Sequence, residues 1–235
     1  MEGRTFSFDF VWPYMGLGAA LLLGLLLATD YLRSDRSVSR WKDLVWLAWA
    51  GTWIYLVHQF EEHGVDAEGV HYAFRGFLCA QLGLGDARTC VTPYSFITSV
   101  NVAAVWLAGP AAALLGRRWP VLALAYYSVV FTNAFAHIVP GLSQGAYNPG
   151  ALTALVLFLP LSLWAFYVAL TRYRLGWRAI VATVVAGVAL HAILLGTLLA
   201  YVGGWIGVVT LDVIQIINPA IAGLIVFLLA RRRTV

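Results

Sequence analysis

Charge is what this sequence has least of. Only 11% of its 235 residues are charged and 61% are hydrophobic, giving a mean hydropathy of +0.81, whereas a water-soluble domain carries roughly a quarter of its residues as charges. That deficit excludes a soluble globular protein. The net charge of +4 would suit an anionic partner, but the basic residues stand at the ends of apolar runs and form no patch, so nucleic acid is excluded as well. Cysteine is also scarce, with Cys79 and Cys90 the only two. No repeat of 20–50 residues, no low-complexity segment and no connection long enough for a second domain is visible, which leaves one transmembrane domain over 1–235.

What fills the chain instead is a succession of apolar runs of about 20 residues, the length that crosses ~30 Å of hydrocarbon as a helix. They fall at residues 10–29, 44–62, 94–116, 119–139, 150–171, 179–201 and 206–230. The expectation is an all-α, polytopic bundle of seven spans. A cleaved signal peptide is the alternative for the first run. It fits poorly, because the run opens at Phe10 with Trp12 and Tyr14 and no small-x-small site precedes Asp30.

Orientation follows from the excess of Lys and Arg on cytoplasmic connections. A threading with the N-terminus outside and the C-terminus in the cytoplasm gathers Arg33, Arg36, Arg40, Lys42, Arg117, Arg118, Arg172, Arg174, Arg178, Arg231, Arg232 and Arg233 on one side. Arg4, Arg75 and Arg88 remain on the other. Trp41, Trp119 and Trp177 adjoin basic residues at the inner interface, and Trp12, Tyr94 and Trp205 mark the outer one. Both cysteines then lie in the outer connection 63–93, where an oxidising compartment permits a disulfide; two free thiols are the alternative.

Ionisable groups inside spans cost about 2.5 to 3.5 kcal/mol each on insertion scales, so they ask for a reason. Here they are His58, Glu61 and Glu62 on the second run, His137 on the fourth (beside the amide of Asn133), His191 on the sixth and Asp212 on the seventh. Asn101, Gln215 and Asn218 add amides. Counted from the inner basic anchor of each span at ~1.5 Å per residue, they all fall between about 20 and about 30 Å. Five spans thus place polar groups in one slab of the outer half, which suggests a shared cavity. His58, Glu61 and Glu62 fan over about 100° of helix and can face one point. His63 turns away from that face and, like His71, is expected to belong to the loop. Asn133 and His137 share a face at i and i+4. Asp212, Gln215 and Asn218 form a stripe, kinked at Pro219, which removes a backbone donor.

Between Pro140 and Tyr147 the chain carries no charge. This connection is read either as a lid or re-entrant segment or as an ordinary turn. Asn148 as N-cap and Pro149 at the first helical position would start the next span.

The run His58-Gln59-Phe60-Glu61-Glu62, with Asn133-x-x-x-His137 and the turn Tyr147-Asn148-Pro149-Gly150, resembles the HXXEE family of bacterial membrane proteins, named for its motif. The likeness spans roughly the second to fifth runs. It implies a multi-pass protein of the bacterial inner membrane and brings no activity with it. A far weaker similarity is to the membrane-bound terpene cyclases, small seven-span proteins with an early Glu and a late Asp, places that Glu62 and Asp212 could fill by analogy.

Three chemistries suit these residues. In the first, His58, Glu62, His137 and His191 bind a divalent metal, zinc or non-haem iron. Glu61, Glu62 and Asp212 would then serve as catalytic acids or bases, and Asn101, Asn133, Gln215, Asn218, Tyr147 and Asn148 would orient ligands or a lipid-like, apolar substrate. In the second, no metal is present. One of the adjacent Glu61 and Glu62 holds a raised pKa and acts as an acid, Asp212 or a His is the base, and the reaction is isomerisation or cyclisation of a polyprenyl or sterol-like molecule. The third is proton-coupled transport or sensing. A purely structural reading, in which these groups satisfy one another across helices, competes evenly for any single amide and poorly for Glu61, Glu62 and Asp212 together.

Overall fold

The computed structural model describes residues 7–230; Arg4, Arg231, Arg232 and Arg233, which carry part of the orientation argument, lie outside the described residues. The described residues form eight α-helices: α1 (Phe8–Ala28), α2 (Leu44–His63), α3 (Ala73–Gln81), α4 (Tyr94–Gly116), α5 (Pro120–Gln144), α6 (Ala151–Thr171), α7 (Trp177–Val202) and α8 (Val208–Ala230). No strand occurs among the described residues, only a bridge pairing Val65 with His71.

Six of these helices are long and apolar enough to cross a membrane. The expected second span, α2, is not one of them. At 20 residues it has the length, but its C-terminal third reads His58-Gln59-Phe60-Glu61-Glu62-His63. Packing explains how such a helix is tolerated: 16 of its 20 residues are buried, with α1, α4, α5 and α6 against it. The polar end therefore faces protein instead of lipid.

Asp43 sets where α2 begins. Fully buried, its carboxylate accepts from Val45 N and Trp46 N as a helix cap and from Ser34 N, Ser34 Oγ and Asp35 N of the preceding turn.

Two helices loosen locally into π-turns, α4 at Val102–Leu107 and α6 at Ala154–Phe158. Asn101 and Thr153 stand immediately before these turns, and both point to α2. Widened turns of this kind re-aim side chains, and they recur at functional positions.

Two connections bear on the ends of these helices. Residues 63–93 fold over the C-terminal end of α2 as a cap, with α3 tied back by the Cys79–Cys90 disulfide. Arg75 reinforces it, Nε donating to Thr92 O at 2.7 Å and Nη2 to Cys90 O at 2.6 Å, with the guanidinium 4.3 Å above the Tyr94 ring. The uncharged segment after Pro140 is largely helical. Pro140 removes one backbone donor, but α5 runs on to Gln144 and stops where Gly145 takes φ +62°. Only residues 145–150 remain as a turn, and Asn148 does not cap α6; the cap position is Gly150, which has no side chain to give.

Candidate metal centre

His58 and Glu62, four residues apart on α2, meet His137 from α5. Glu62 Oε2 is 3.3 Å from His58 Nε2 and Glu62 Oε1 is 3.1 Å from His137 Nε2. All three side chains are buried. One ligand atom from each lies within 4.8 Å of the others, a group able to hold a metal ion. Donors about 2.0 to 2.1 Å from a tetrahedral ion stand about 3.3 Å from one another, so the two imidazole–carboxylate separations already match that spacing.

Partners on the far side of each ring fix the tautomers. Asn148 Nδ2 donates to the His137 carbonyl at 2.9 Å, so Asn148 Oδ1 is the atom facing His137 Nδ1 at 3.1 Å, and the ring proton sits on Nδ1. Thr153 Oγ1 lies 2.7 Å from His58 Nδ1. Its single proton goes to an acceptor oxygen, Glu61 Oε2 at 2.5 Å or the Gly150 carbonyl at 3.3 Å, so here too the imidazole donates from Nδ1. Both Nε2 lone pairs therefore converge on the Glu62 carboxylate. Metal-binding histidines are held in this way, the remote N–H engaged and the near nitrogen free. Asn133 Nδ2 is the donor among these acceptors, 3.1 Å from His58 Nε2 and 3.5 Å from His137 Nε2.

Gly150 closes the group from the α6 side at φ +91°. A Cβ there would stand 2.7 Å from His58 Cε1, 2.8 Å from His137 Cε1 and 3.0 Å from Glu62 Cγ, so backbone alone fits against the three side chains.

Glu61 does something else. Its carboxylate turns to the start of α6 and accepts from Tyr147 OH (2.9 Å), Leu152 N (3.1 Å), Thr153 N (2.9 Å) and Thr153 Oγ1 (2.5 Å). It supplies from another helix the cap expected of Asn148, an anion on a helix N-terminus. Tyr147 lies outside the spans. Burial, with the Glu61 and Asp66 charges, pushes its hydroxyl above the usual tyrosine range, so it stays a donor.

His63 corrects the azimuthal reading. It is buried, with Nε2 3.4 Å from Glu62 Oε2, and its ring is enclosed by Trp12, Tyr72 and Phe74 at centroid distances of 5.1, 5.3 and 5.5 Å. A chain of amides orients it. Trp106 Nε1 can only donate, to Gln59 Oε1 at 3.1 Å; Gln59 Nε2 donates to Asn101 Oδ1 at 3.0 Å; and Asn101 Nδ2 faces His63 Nε2 at 3.2 Å. Asn101 thus reaches the centre through His63. Neither His63 nor Thr153 was singled out by the sequence. A helix-terminal His beside a motif is a usable signal, but a lone Thr in an apolar run is none.

The remaining expected residues stand apart from the group. His191 Nδ1 bonds the Gly187 carbonyl at 2.9 Å, and its Nε2 reaches only Asn133 Oδ1, at 3.5 Å, so it is one residue removed from the centre. Asp212 is not part of the group, and its Oδ1 is buried without a hydrogen-bond partner among the described residues. Gln215 donates to Thr197 Oγ1 at 2.7 Å and Asn218 to the Leu190 carbonyl at 2.9 Å, both fastening α8 to α7. His71, as expected, belongs to the loop.

Residues 49–165 match the model of the HXXEE family, described as a protein of unknown function with HXXEE motif. That segment contains His58, Glu61, Glu62, Asn133, His137, Asn148, Gly150 and Thr153. No curated protein and no solved structure matches the chain.

Proposed function

We propose that this chain, built around its HXXEE segment, is an intramembrane metalloenzyme that holds zinc or iron between His58, Glu62 and His137 and acts on a lipid or other apolar substrate. One observation carries the reading: two imidazoles, their protons committed to Asn148 and Thr153, aim lone pairs at a buried carboxylate. Such an arrangement is repulsive until a cation or shared protons lie between. Two histidines and one carboxylate are the ligand set of hydrolytic zinc and of oxygen-activating iron, and either metal would supply Lewis-acid or redox chemistry beside an open position.

The chain's own residues have separable tasks. Asn148, Thr153 and Glu61 orient the ligands. Asn133, the one amide donor facing both Nε2 atoms, is placed to hold an oxygen of the substrate. His63, beside Glu62 Oε2, is placed to take or return a proton there. The rings of Tyr72 and Phe74 shield the group from water on the outer side.

The metal-free reading draws less support, since it starts from Glu61 and Glu62 crowding each other and their carboxylates turn to different partners. Glu61 accepts four hydrogen bonds at the start of α6, whereas Glu62 faces the imidazoles. In the proposed membrane arrangement α2 completes a seven-span bundle, with the N-terminus outside, the C-terminus cytoplasmic and the centre in the outer half of a bacterial inner membrane. The basic residues of the connections support that orientation.

Metal analysis of the purified protein tests the proposal. Near-stoichiometric zinc or iron in the wild type, lost in both His58→Ala and Glu62→Ala, is the expected result. Metal-free wild-type protein ends the reading.

A further inference from the structure

A groove of about 760 Å³ runs between α1, α2 and α6, walled by Gly24, Trp53, Ile54, Val156, Leu157 and Trp164 among others. Its helical register relates it to the centre. Ile54 lies one turn below His58 on α2, and Leu157 lies one turn from Thr153 on α6; His58 and Thr153 are themselves bonded. The groove therefore ends one turn, about 5 to 6 Å, beneath a metal ligand. At the intervening level the buried rings of Tyr55 and Phe158 pack on the His58 ring at 5.4 and 4.3 Å, so ring faces lie next to the ligand on this side.

The far end of the groove has polar groups, but they are spoken for. Arg40 Nη1 donates to the Leu27 carbonyl at 2.7 Å, Trp46 Nε1 to the same carbonyl at 3.1 Å, and Trp164 Nε1 to the Trp41 carbonyl at 2.6 Å. What these residues offer the groove is aliphatic stem and ring face. Ala28, Val156, Pro160 and Trp164 are exposed along its flank, so a chain can enter sideways from the bilayer.

We infer that this groove holds the hydrocarbon chain, acyl or prenyl, of a substrate whose polar reacting end lies at His58, Glu62 and His137. The inference rests on the metal-centre reading for the position of the head and adds where the tail goes. A second groove of about 550 Å³ lies between α4, α5 and α8. Its α5 wall leads one turn on, from Val129, to Asn133, and no residue of its wall stands a turn from a ligand.

The test is photolabelling. Metal-loaded, full-length protein in lipid nanodiscs is irradiated with a long-chain alkyl hydroxamate, whose head chelates divalent metals, carrying a diazirine at mid-chain. Labelled peptides from α1, α2 and α6 around Gly24, Trp53 and Leu157 are expected. Val156→Trp fills the groove from an exposed position; it is expected to cut that labelling by about tenfold or more while metal content and thermal stability stay at wild-type values. Competition by hexadecanoic acid or by geranylgeraniol assigns the chain as acyl or prenyl. Labelling of the α4–α5–α8 groove, uniform labelling of all lipid-facing helices, or undiminished labelling in Val156→Trp overturns the inference. Groove labelling by the matching diazirine fatty acid in protein that binds no metal keeps the tail site and removes the metal reading. Metal-loaded protein with an unlabelled groove does the reverse.

Discussion

Asn148 holds His137 at two points, donating from Nδ2 to its carbonyl at 2.9 Å and accepting from its Nδ1 at 3.1 Å. One side chain thus fixes both the backbone at His137 and the tautomer of its ring. Removing such a partner typically lowers metal affinity 10- to 100-fold. Asn148→Ala is expected to weaken zinc binding by about that factor in a competition titration with a chromophoric chelator. Asn148→Asp keeps the oxygen that faces Nδ1 and should fall between the two. An Asn148→Ala protein with wild-type affinity would show that His137 is not a ligand.

Gly150 separates backbone strain from crowding when compared with Gly145. Both have positive φ, +91° and +62°, but a Cβ at Gly145 meets nothing within 4 Å. Gly145→Ala should cost about 1 to 2 kcal/mol from the left-handed conformation alone and leave metal content intact. Gly150→Ala carries the same strain and also drives a methyl into both imidazoles, so it should lose the metal as well. Thermal unfolding beside metal analysis reads both effects, and equal metal retention in the two variants would contradict the geometry.

Adjacent in sequence, Glu61 and Glu62 are expected to fail in different ways. Glu61→Ala strands Thr153 N, Thr153 Oγ1, Leu152 N and Tyr147 OH, and should destabilise the fold by roughly 3 kcal/mol. Glu62→Gln removes a buried carboxylate from a cluster of acceptors; it should abolish metal binding while leaving the melting temperature of the metal-free protein at or above wild type. The opposite assignment, stability lost with Glu62 and metal lost with Glu61 alone, would exchange their roles.

The outer cap makes its own prediction. Phe74, at the start of α3, packs on His63 and His137 at centroid distances of 5.5 and 5.4 Å, and α3 is closed by a disulfide spanning 11 residues of sequence. A cross-link over so short a loop is worth about 3 kcal/mol in chain entropy. Cys79→Ser with Cys90→Ser, or reduction of the wild type, should lower the melting temperature and speed loss of metal to an external chelator. Unchanged chelation kinetics would mean that the cap does not control access to the centre.

Much of this arrangement was legible because helical spacing is a strong signal. His58 with Glu62 and Asn133 with His137 are i,i+4 pairs, and depth counting brought α2, α4, α5 and α7 to one level. Three features were not legible, each for a physical reason. Glu61 caps a helix in another part of the chain, and local capping patterns contain no such information. His63 points off the Glu62 face of α2 yet is buried, because the end of a helix can be wrapped by an incoming loop, here the one carrying Tyr72 and Phe74. The polar stripe of α8 was counted to the same level, but depth gives no direction, and its amides turn to α7.

Asp212 shows what that last point implies. Counted to the same height as the other polar groups it was a natural catalytic base, but it is not among the grouped side chains, and the next two residues of its stripe, Gln215 and Asn218, bond Thr197 and the Leu190 carbonyl. Interhelical bonds of this kind contribute about 0.6 kcal/mol on average and at most about 1.7. Asp212→Asn is therefore expected to keep full metal content and full binding of the alkyl hydroxamate. Asn218→Leu should lose about 1 kcal/mol of stability, with no change at the centre. If Asp212→Asn instead releases the metal or the hydroxamate, α8 takes part in the centre and the boundary drawn around His58, Glu62 and His137 is too tight.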